Sequence, residues 1–324
     1  MTTHTTKQRI LDSLAPVLAH SAYVSINEER LEAFAEELAY DPVPPWDNHL
    51  QFLGTPEQTM QYYFFLDSIN CCFWAPKEGK RWKYFISEGE WLQGYYAFSK
   101  AIKDAFVRDE RLFDASYVAE MSDTDFYAIF RGEGELLLLS ERVAIIRENF
   151  AILRDTFGGS ARTFFEAAEC DVDRCVDLLC THFPTFRDQE KFEGRTVYFL
   201  KRAQILPSDI AFALPDEPTV QFTNLDHLTV FADYKLPLIL EAFGVLEYAP
   251  ELLAKIDAEE LIPRGSREEI EIRAHTIEAV ERLRDAVERA GTVRTVREID
   301  WILWVKAKHL TYRHPHHKTP TTSY

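Results

Sequence analysis

The 324-residue sequence has no run approaching the roughly 18 apolar residues of a membrane-spanning helix, and its polar opening "MTTHTTKQRILDSLAP" has no apolar signal-peptide core. A cytoplasmic protein without a membrane partner is expected. Positive charge is also short, with 36 Lys and Arg against 53 Asp and Glu and a net charge of −17. That balance opposes wrapping a polyanion, because nucleic-acid affinity rests on neutralised phosphates. A nucleic-acid-related substrate should therefore be a small molecule and not an intact strand. Cysteine is scarce and odd in number, five in all, placed as Cys71-Cys72 and as Cys170, Cys175 and Cys180. No two form a C-x-x-C pair, and the five-residue spacing scatters the last three around a helix, so buried thiols are expected in place of disulfides or a metal site. G-x-S-x-G, H-E-x-x-H, the Walker loop and the dinucleotide fingerprint are all absent, which weighs against the familiar hydrolase and cofactor classes.

What is present is a chain 46% apolar, enough for one sizeable core. Apolar residues recur mostly three and four apart and long alternation is rare, which predicts a mainly α fold with a minor β element. Helices are expected in "TTKQRILDSLAPVLAH", "NEERLEAFAEELAYD" behind an Asn27 cap, "GEWLQGYYAFSKAIKDAFV", "DTDFYAIFRG", "ELLLLSERVAIIRENFAILRDTFG", "ARTFFEAAECDVDRCVDLLCTHF" and "SREEIEIRAHTIEAVERLRDAVERAG". "RWKYFIS" and "GRTVYFLKRAQIL" are the strand candidates. No repeat or linker divides the chain, so residues 1–324 read as a single domain, with the helix in 1–20 and the polar tail 312–324 peripheral.

Two segments place polar groups where burial is expected. "TPEQTMQYYFFLDSINCCFWAP" reads as one helix from the Thr55 cap and Pro56 to the Pro76 stop, apolar on nearly every face. On it Asp67, Asn70 and Trp74 fall at i, i+3 and i+7, along one stripe. An unpaired buried charge costs several kcal/mol, so these groups are either hydrogen-bonded between helices or face a cavity. In a cavity, Asp67 and Asn70 would grip donors on a ligand while Phe73 or Trp74 stacked on a flat ring. In "TNLDHLTVFADYKLPLIL", Asn224 can cap a helix carrying Leu225, Leu228 and Phe231, with Asp226 and Asp233 on one face. Pro237 has no N–H for the carbonyl of Asp233, so the helix should bend or break there. Asp233 then is either solvated at a kink or projects into a cleft, and Lys235 points away from it.

Smaller clusters complete the inventory. Ser266 and Glu269 make an S-x-x-E capping box, Arg273 can answer Glu269 at i+4, and Glu271 lines up with His275 and Glu278. Lys201 and Arg202 close an apolar run, a strand-to-loop edge whose paired cations can also hold a phosphate. His314, His316 and His317 read as solvated tail residues and not as metal ligands.

In order along the chain, "FLDSINCCFWAP", "FPTFRD", "VYFLKRAQILP", "LTVFADYKLP", "FGVLEYAP", "EIEIRA" and "IDWILW" resemble the queuosine salvage protein family, the queuosine 5'-phosphate N-glycosylases. The likeness runs from about residue 20 to residue 324. Lys235 stands where the family's "ADYR-x-P" form has arginine, and "HHKTP" follows its "HRT" ending loosely.

The resemblance implies a helical fold related to helix-hairpin-helix DNA glycosylases, with "EAFGVLEYAPELL" and its Gly244 as the hairpin. It implies hydrolysis of queuosine 5'-monophosphate to queuine and ribose 5-phosphate, with no metal and no organic cofactor. Asp233 is then expected to stabilise the oxocarbenium-like transition state. Asp67, Asn70, Phe73 and Trp74 would recognise the base, a 7-deazapurine without the N7 that eases purine departure. Lys201, Arg202, Lys235 and Arg273 are the phosphate candidates, and Asp226 and His227 are further substrate contacts. Glu271, which follows the hairpin at the interval seen in helix-hairpin-helix glycosylases, is the alternative principal carboxylate. Two other functions compete: a base-excision glycosylase, which should bind duplex with a steep salt dependence, and a nucleotide-binding protein that releases no base.

Overall fold

Helix caps written into the sequence set many element boundaries in the computed structural model, which describes residues 4–46 and 48–324. Helix α1 (Thr6–Ala19) starts behind Thr5, whose hydroxyl accepts from the N–H of Gln8. After β1 (Val24–Ile26), helix α2 (Glu28–Tyr40) starts behind Asn27, whose side chain accepts from the N–H of Arg30. Helix α3 (Pro56–Ser68) opens on a capping box between Thr55 and Gln58. The hairpin of β2 (Lys83–Ser87) and β3 (Glu90–Gln93) leads into α4 (Gly94–Arg108). Short α5 (Ala115–Ala119) and α6 (Asp123–Ile129) precede α7 (Leu139–Phe157), which Gly158 ends at φ +63°.

The stretch expected to form one helix after Gly158 forms two, α8 (Ala161–Ala167) and α9 (Val172–His182). Glu169 and Cys170 turn left-handed between them and Asp171 caps the second, a local capping interaction that outcompetes the continuous apolar period. A second hairpin, β4 (Gln189–Phe192) and β5 (Arg195–Tyr198), leads into α10 (Lys201–Ala213). The chain continues through α11 (Lys235–Ala242), β6 (Leu246–Tyr248), α12 (Pro250–Asp257), α13 (Arg267–Arg289) and α14 (Val296–Lys306). The named strands pair only two by two, all antiparallel: β1 with β6, β2 with β3, and β4 with β5. The fold is thus mainly helical, and no described helix is long and apolar enough to cross a membrane.

Two helices organise the core. Every residue of α3 from Thr59 to Ser68 is buried, and α4, α7, α8 and α10 pack around it. Its Phe64 and Phe65 each gain about 1.5–3 kcal/mol from leaving water. Helix α13 is covered in turn by α1, α2, α11 and α14.

Both chain ends depart from expectation. Ile10, Leu14 and Val17 of α1 are fully buried, so this helix belongs to the core. Residues 317–319, 321, 323 and 324 are buried too, and Tyr324 is only 2% exposed. The polar tail is ordered because the core satisfies it: the N–H of Ile262 donates to the carbonyl of Lys318 (2.8 Å), that of Cys72 to the carbonyl of Tyr324 (2.9 Å), and Lys318 Nζ to the carbonyl of Ala75 (2.9 Å).

Candidate active site

Helix α3 stops at Ser68, short of the expected Pro76, and Cys72 sits at φ +48° in the irregular chain that follows. Unwinding a buried helix strands carbonyls, and here cations take six in a row. Arg202 binds Ser68, Arg142 binds Ile69, Cys71 and Cys72, Lys201 binds Asn70 (2.9 Å), and Arg81 binds Phe73 (3.1 Å). Charge-assisted hydrogen bonds of this kind are roughly twice as strong as neutral ones, which offsets the lost helix. Asn70 still reaches Asp67 (3.0 Å), but Trp74 is carried off their stripe toward Lys318 and His316.

The segment after Asn224 also departs from expectation. Only Leu225–His227 turns, as a 3-10 helix, and the chain through Asp233 then runs without regular helix. Buried side chains supply the partners that a helix would have given: Gln204 accepts from the N–H of Thr229 (2.8 Å) and Asp300 from that of Phe231 (2.8 Å). Pro237 therefore breaks nothing. It is the third residue of α11, where its absent N–H would have had no partner inside the helix. The N–H groups of Lys235 (2.6 Å) and Leu236 (3.1 Å) donate instead to Asp233 Oδ1, so the acid caps the helix that follows it. Its other oxygen receives no hydrogen bond from the described residues.

Asp233 lines a cavity of about 310 Å³. One wall is aromatic: Trp46 stacks on Phe212 (4.7 Å between centroids, 9°) and Trp301 on Trp304 (5.2 Å, 17°). The lining also brings Asp209, Asp233 and Asp300 together with Lys201 and Arg297, while Arg81, Lys235 and Lys308 supply further positive charge. Burial raises the pKa of Asp233, against the pull of Lys201 and the two N–H donors. Asp300 is pushed to about 7 by burial, which outweighs its hydrogen bond from Phe231, with Asp233 adding to the rise. Asp209 is held well above the usual carboxylate range by burial and by neighbouring Asp67. Lys201 is shifted down by burial, with Asp233 opposing the shift. All three carboxyls are thus shifted toward holding their protons, each against different partners.

Of the residues singled out in the sequence, Asn70, Phe73, Lys201, Asp233 and Lys235 line this cavity. Others lie outside its lining. Asp67 is buried behind the wall, and Arg202 spends its guanidinium on the carbonyls of Ser68 and Thr185 over the ring of Phe186. Arg202 and Lys201 begin α10 and do not end a strand; the N–H of Lys201 is capped by Asp188 (3.0 Å). Arg273 forms a buried two-pronged pair with that same Asp188 (2.8 and 2.6 Å), sandwiched by Phe199 and Tyr324. Glu271 accepts from the N–H groups of Ala22, Tyr23 and Val24 and from Arg267 (2.8 Å). His227 bonds Asp173 (2.6 Å) in the 3-10 turn that also holds Asp226. His316 is half-buried and His317 buried, and desolvation pushes them down to about 4 and about 3; no cluster of metal-ligand residues occurs among the described residues.

Arg81, Asp209, Arg297, Asp300, Trp46, Trp301 and Trp304 also line the cavity, and no motif singled them out as site residues. A signal existed for Asp300, an acid beside two tryptophans in the apolar "IDWILW".

The sequence profile of the queuosine salvage protein family matches residues 48–324. A Sphaerobacter thermophilus protein named queuosine 5'-phosphate N-glycosylase/hydrolase is 38% identical over 318 residues, 97% of each chain. Proteins of the same name from Nematostella vectensis and Mus musculus are 31% and 34% identical, over 95% and 72% of this chain and 96% and 69% of theirs.

Proposed function

Since this chain belongs to the queuosine salvage protein family, we propose that its cavity hydrolyses the N-glycosidic bond of queuosine 5'-phosphate, releasing queuine and ribose 5-phosphate for salvage into tRNA modification. The observation that carries this reading is Asp233: one oxygen is fixed by two helix-terminal N–H groups, and the other has no donor among the described residues in an aromatic-walled cavity. A carboxylate held that way is preorganised for the positive charge that develops on the ribose as the C–N bond breaks.

The remaining groups divide by chemistry. Trp46, Trp301 and Trp304 line the cavity with flat rings suited to the base. Lys235 and Arg81, two cations of the lining near enough to repel one another, receive the 5'-phosphate. Asp300, with proton affinity near neutral pH, takes the proton of the attacking water. Glu271 is less suited to any of these tasks, since backbone donors and Arg267 surround its carboxylate.

Two finer points belong to the same reading. Gly244, at φ +73°, turns α11 into β6 ahead of α12, which supports kinship with helix-hairpin-helix glycosylases; superposing residues 235–257 on that motif tests it. Five cysteines without a disulfide suit the cytoplasm, which fractionation of cells would check.

Incubation with queuosine 5'-monophosphate, followed by chromatography, tests the function. Release of queuine by the parent protein and its loss in Asp233→Asn is the expected result. Nucleotide binding without base release over hours contradicts it.

A further inference from the structure

Asp67 is completely buried. Asn70 donates to its Oδ1, while its Oδ2 has no partner among the described residues. Across the packed α3–α10 pair stands Asp209, 4% exposed and on the cavity wall, with no hydrogen-bond donor among the described residues. Four carboxyls, those of Asp67, Asp209, Asp233 and Asp300, therefore share the region with two cations of the site, the buried Lys201 and the half-buried Arg297. Arg202 also faces Asp67 and its charge pulls that carboxyl down, although its two terminal nitrogens are spent on carbonyls. Tyr62, Tyr63 and Tyr95 face Asp209 as well; burial keeps these phenols neutral, so they add no charge.

Uncompensated buried charge is too costly to leave all four acids ionised. Asp233 has Lys201 and two N–H donors, and Asp300 has the N–H of Phe231. Asp67 keeps the Asn70 donor and the nearby charges of Lys201 and Arg202, whereas Asp209 faces Lys201 and Arg297 with no hydrogen bond among the described residues and stands against Asp67, so of this pair Asp209 holds the proton. Position separates the two carboxyls of high proton affinity on the wall. Asp300 adjoins Asp233, on the ribose side. Asp209 lies three residues before Phe212, whose ring stacks on Trp46, and so stands at the edge of the aromatic face.

We propose that Asp209 is a second catalytic residue, giving its carboxyl proton to the departing base, and that Asp67 is a positioning residue that keeps the proton there by like-charge repulsion. The proposal rests on the reading of the cavity as a queuosine 5'-phosphate hydrolase. As the C1′–N bond breaks, its electron pair passes to the ring, and the Asp209 proton goes to a ring heteroatom, so the base leaves neutral. Water adds hydroxide to C1′ and its proton goes to Asp300. Exchange with solvent then returns Asp300 to the anion and Asp209 to the acid.

Asp209→Asn keeps shape and burial but cannot deliver a proton. It should lose about 10²-fold or more in kcat on queuosine 5'-phosphate. On 4-nitrophenyl riboside 5-phosphate, whose leaving group departs unprotonated, it should stay within about threefold of the parent. Equal losses on both substrates, or no loss on the nucleotide, overturn the proposal. Asp67→Asn provides an independent check: without the like charge, Asp209 ionises earlier, and the alkaline limb of kcat should move down by about one pH unit. An unmoved limb removes Asp67 from the mechanism. A parent enzyme that releases no base from the nucleotide sinks the functional reading itself, an outcome separate from either variant-to-parent ratio.

Discussion

Lys201 Nζ donates to the backbone carbonyl of Asn70 at 2.9 Å, so the ammonium beside Asp233 is held by the unwound chain and forms no ion pair within 4.0 Å among the described residues. Its charge remains available to lower the pKa of Asp233. In Lys201→Met that pull is gone, Asp233 binds its proton more tightly, and the acid limb of kcat/KM should shift to higher pH. About one unit is expected, equivalent to ~1.4 kcal/mol. Steady-state rates across the pH range measure it, and an unchanged limb denies Lys201 this role.

Asp233 and Glu271 make opposite predictions. Asp233→Asn should lower kcat by about 10²–10³ while the protein stays folded. Glu271→Gln should leave kcat near the parent value but cost about 1–3 kcal/mol of stability, because the N–H groups of Ala22, Tyr23 and Val24 lose a charged acceptor. Paired kinetics and urea melts separate the two; a catalytic collapse in Glu271→Gln would exchange their assignments.

Lys235 tests the phosphate end of the cavity. Lys235→Met should raise KM for the nucleotide about tenfold, change kcat less, and narrow the preference for the nucleotide over the free nucleoside. An unaltered preference would place the phosphate elsewhere.

Much of the scaffold was legible because its signals are local. Thr55, Asn27 and Ser266 cap the helices expected of them, and each acts within three residues. The site was legible only where local chemistry coincided with it, as at Asp233. Asp209 was missed because α10 carries Pro207 inside it and follows directly on a strand, so its period was hidden. The role of Arg142 lay beyond any sequence pattern, since its partners are backbone carbonyls roughly seventy positions away. The Pro/Thr-rich tail misled for the complementary reason: its composition describes a loose strand, and only the rest of the molecule supplies the partners that order it.

Stability should carry a pH signature from the same buried acids. Asp67 and Asp300 are both raised from 3.8 to about 7, Asp67 chiefly by burial against the pull of Asn70, and Asp300 chiefly by burial against its Phe231 hydrogen bond. A raised carboxyl binds its proton more tightly when folded, so its contribution is whole below the unfolded pKa and is lost as pH climbs through the folded value. Urea midpoints should therefore fall between about pH 4 and pH 7, and this fall should be shallower in Asp67→Asn and in Asp300→Asn. Parallel slopes in parent and variants would mean that these acids ionise freely.

The six clamped carbonyls of residues 68–73 also bear on the order of assembly. Arg202 and Lys201 reach them across 134 and 131 positions of chain, and Arg142 across 73 at its most distant. Contacts of such span repay their loop-closure entropy only once the intervening helices have docked. The wall of the cavity is therefore a late product of folding. Chains caught before that step would already carry native helices, yet would have no room shaped to receive a nucleotide.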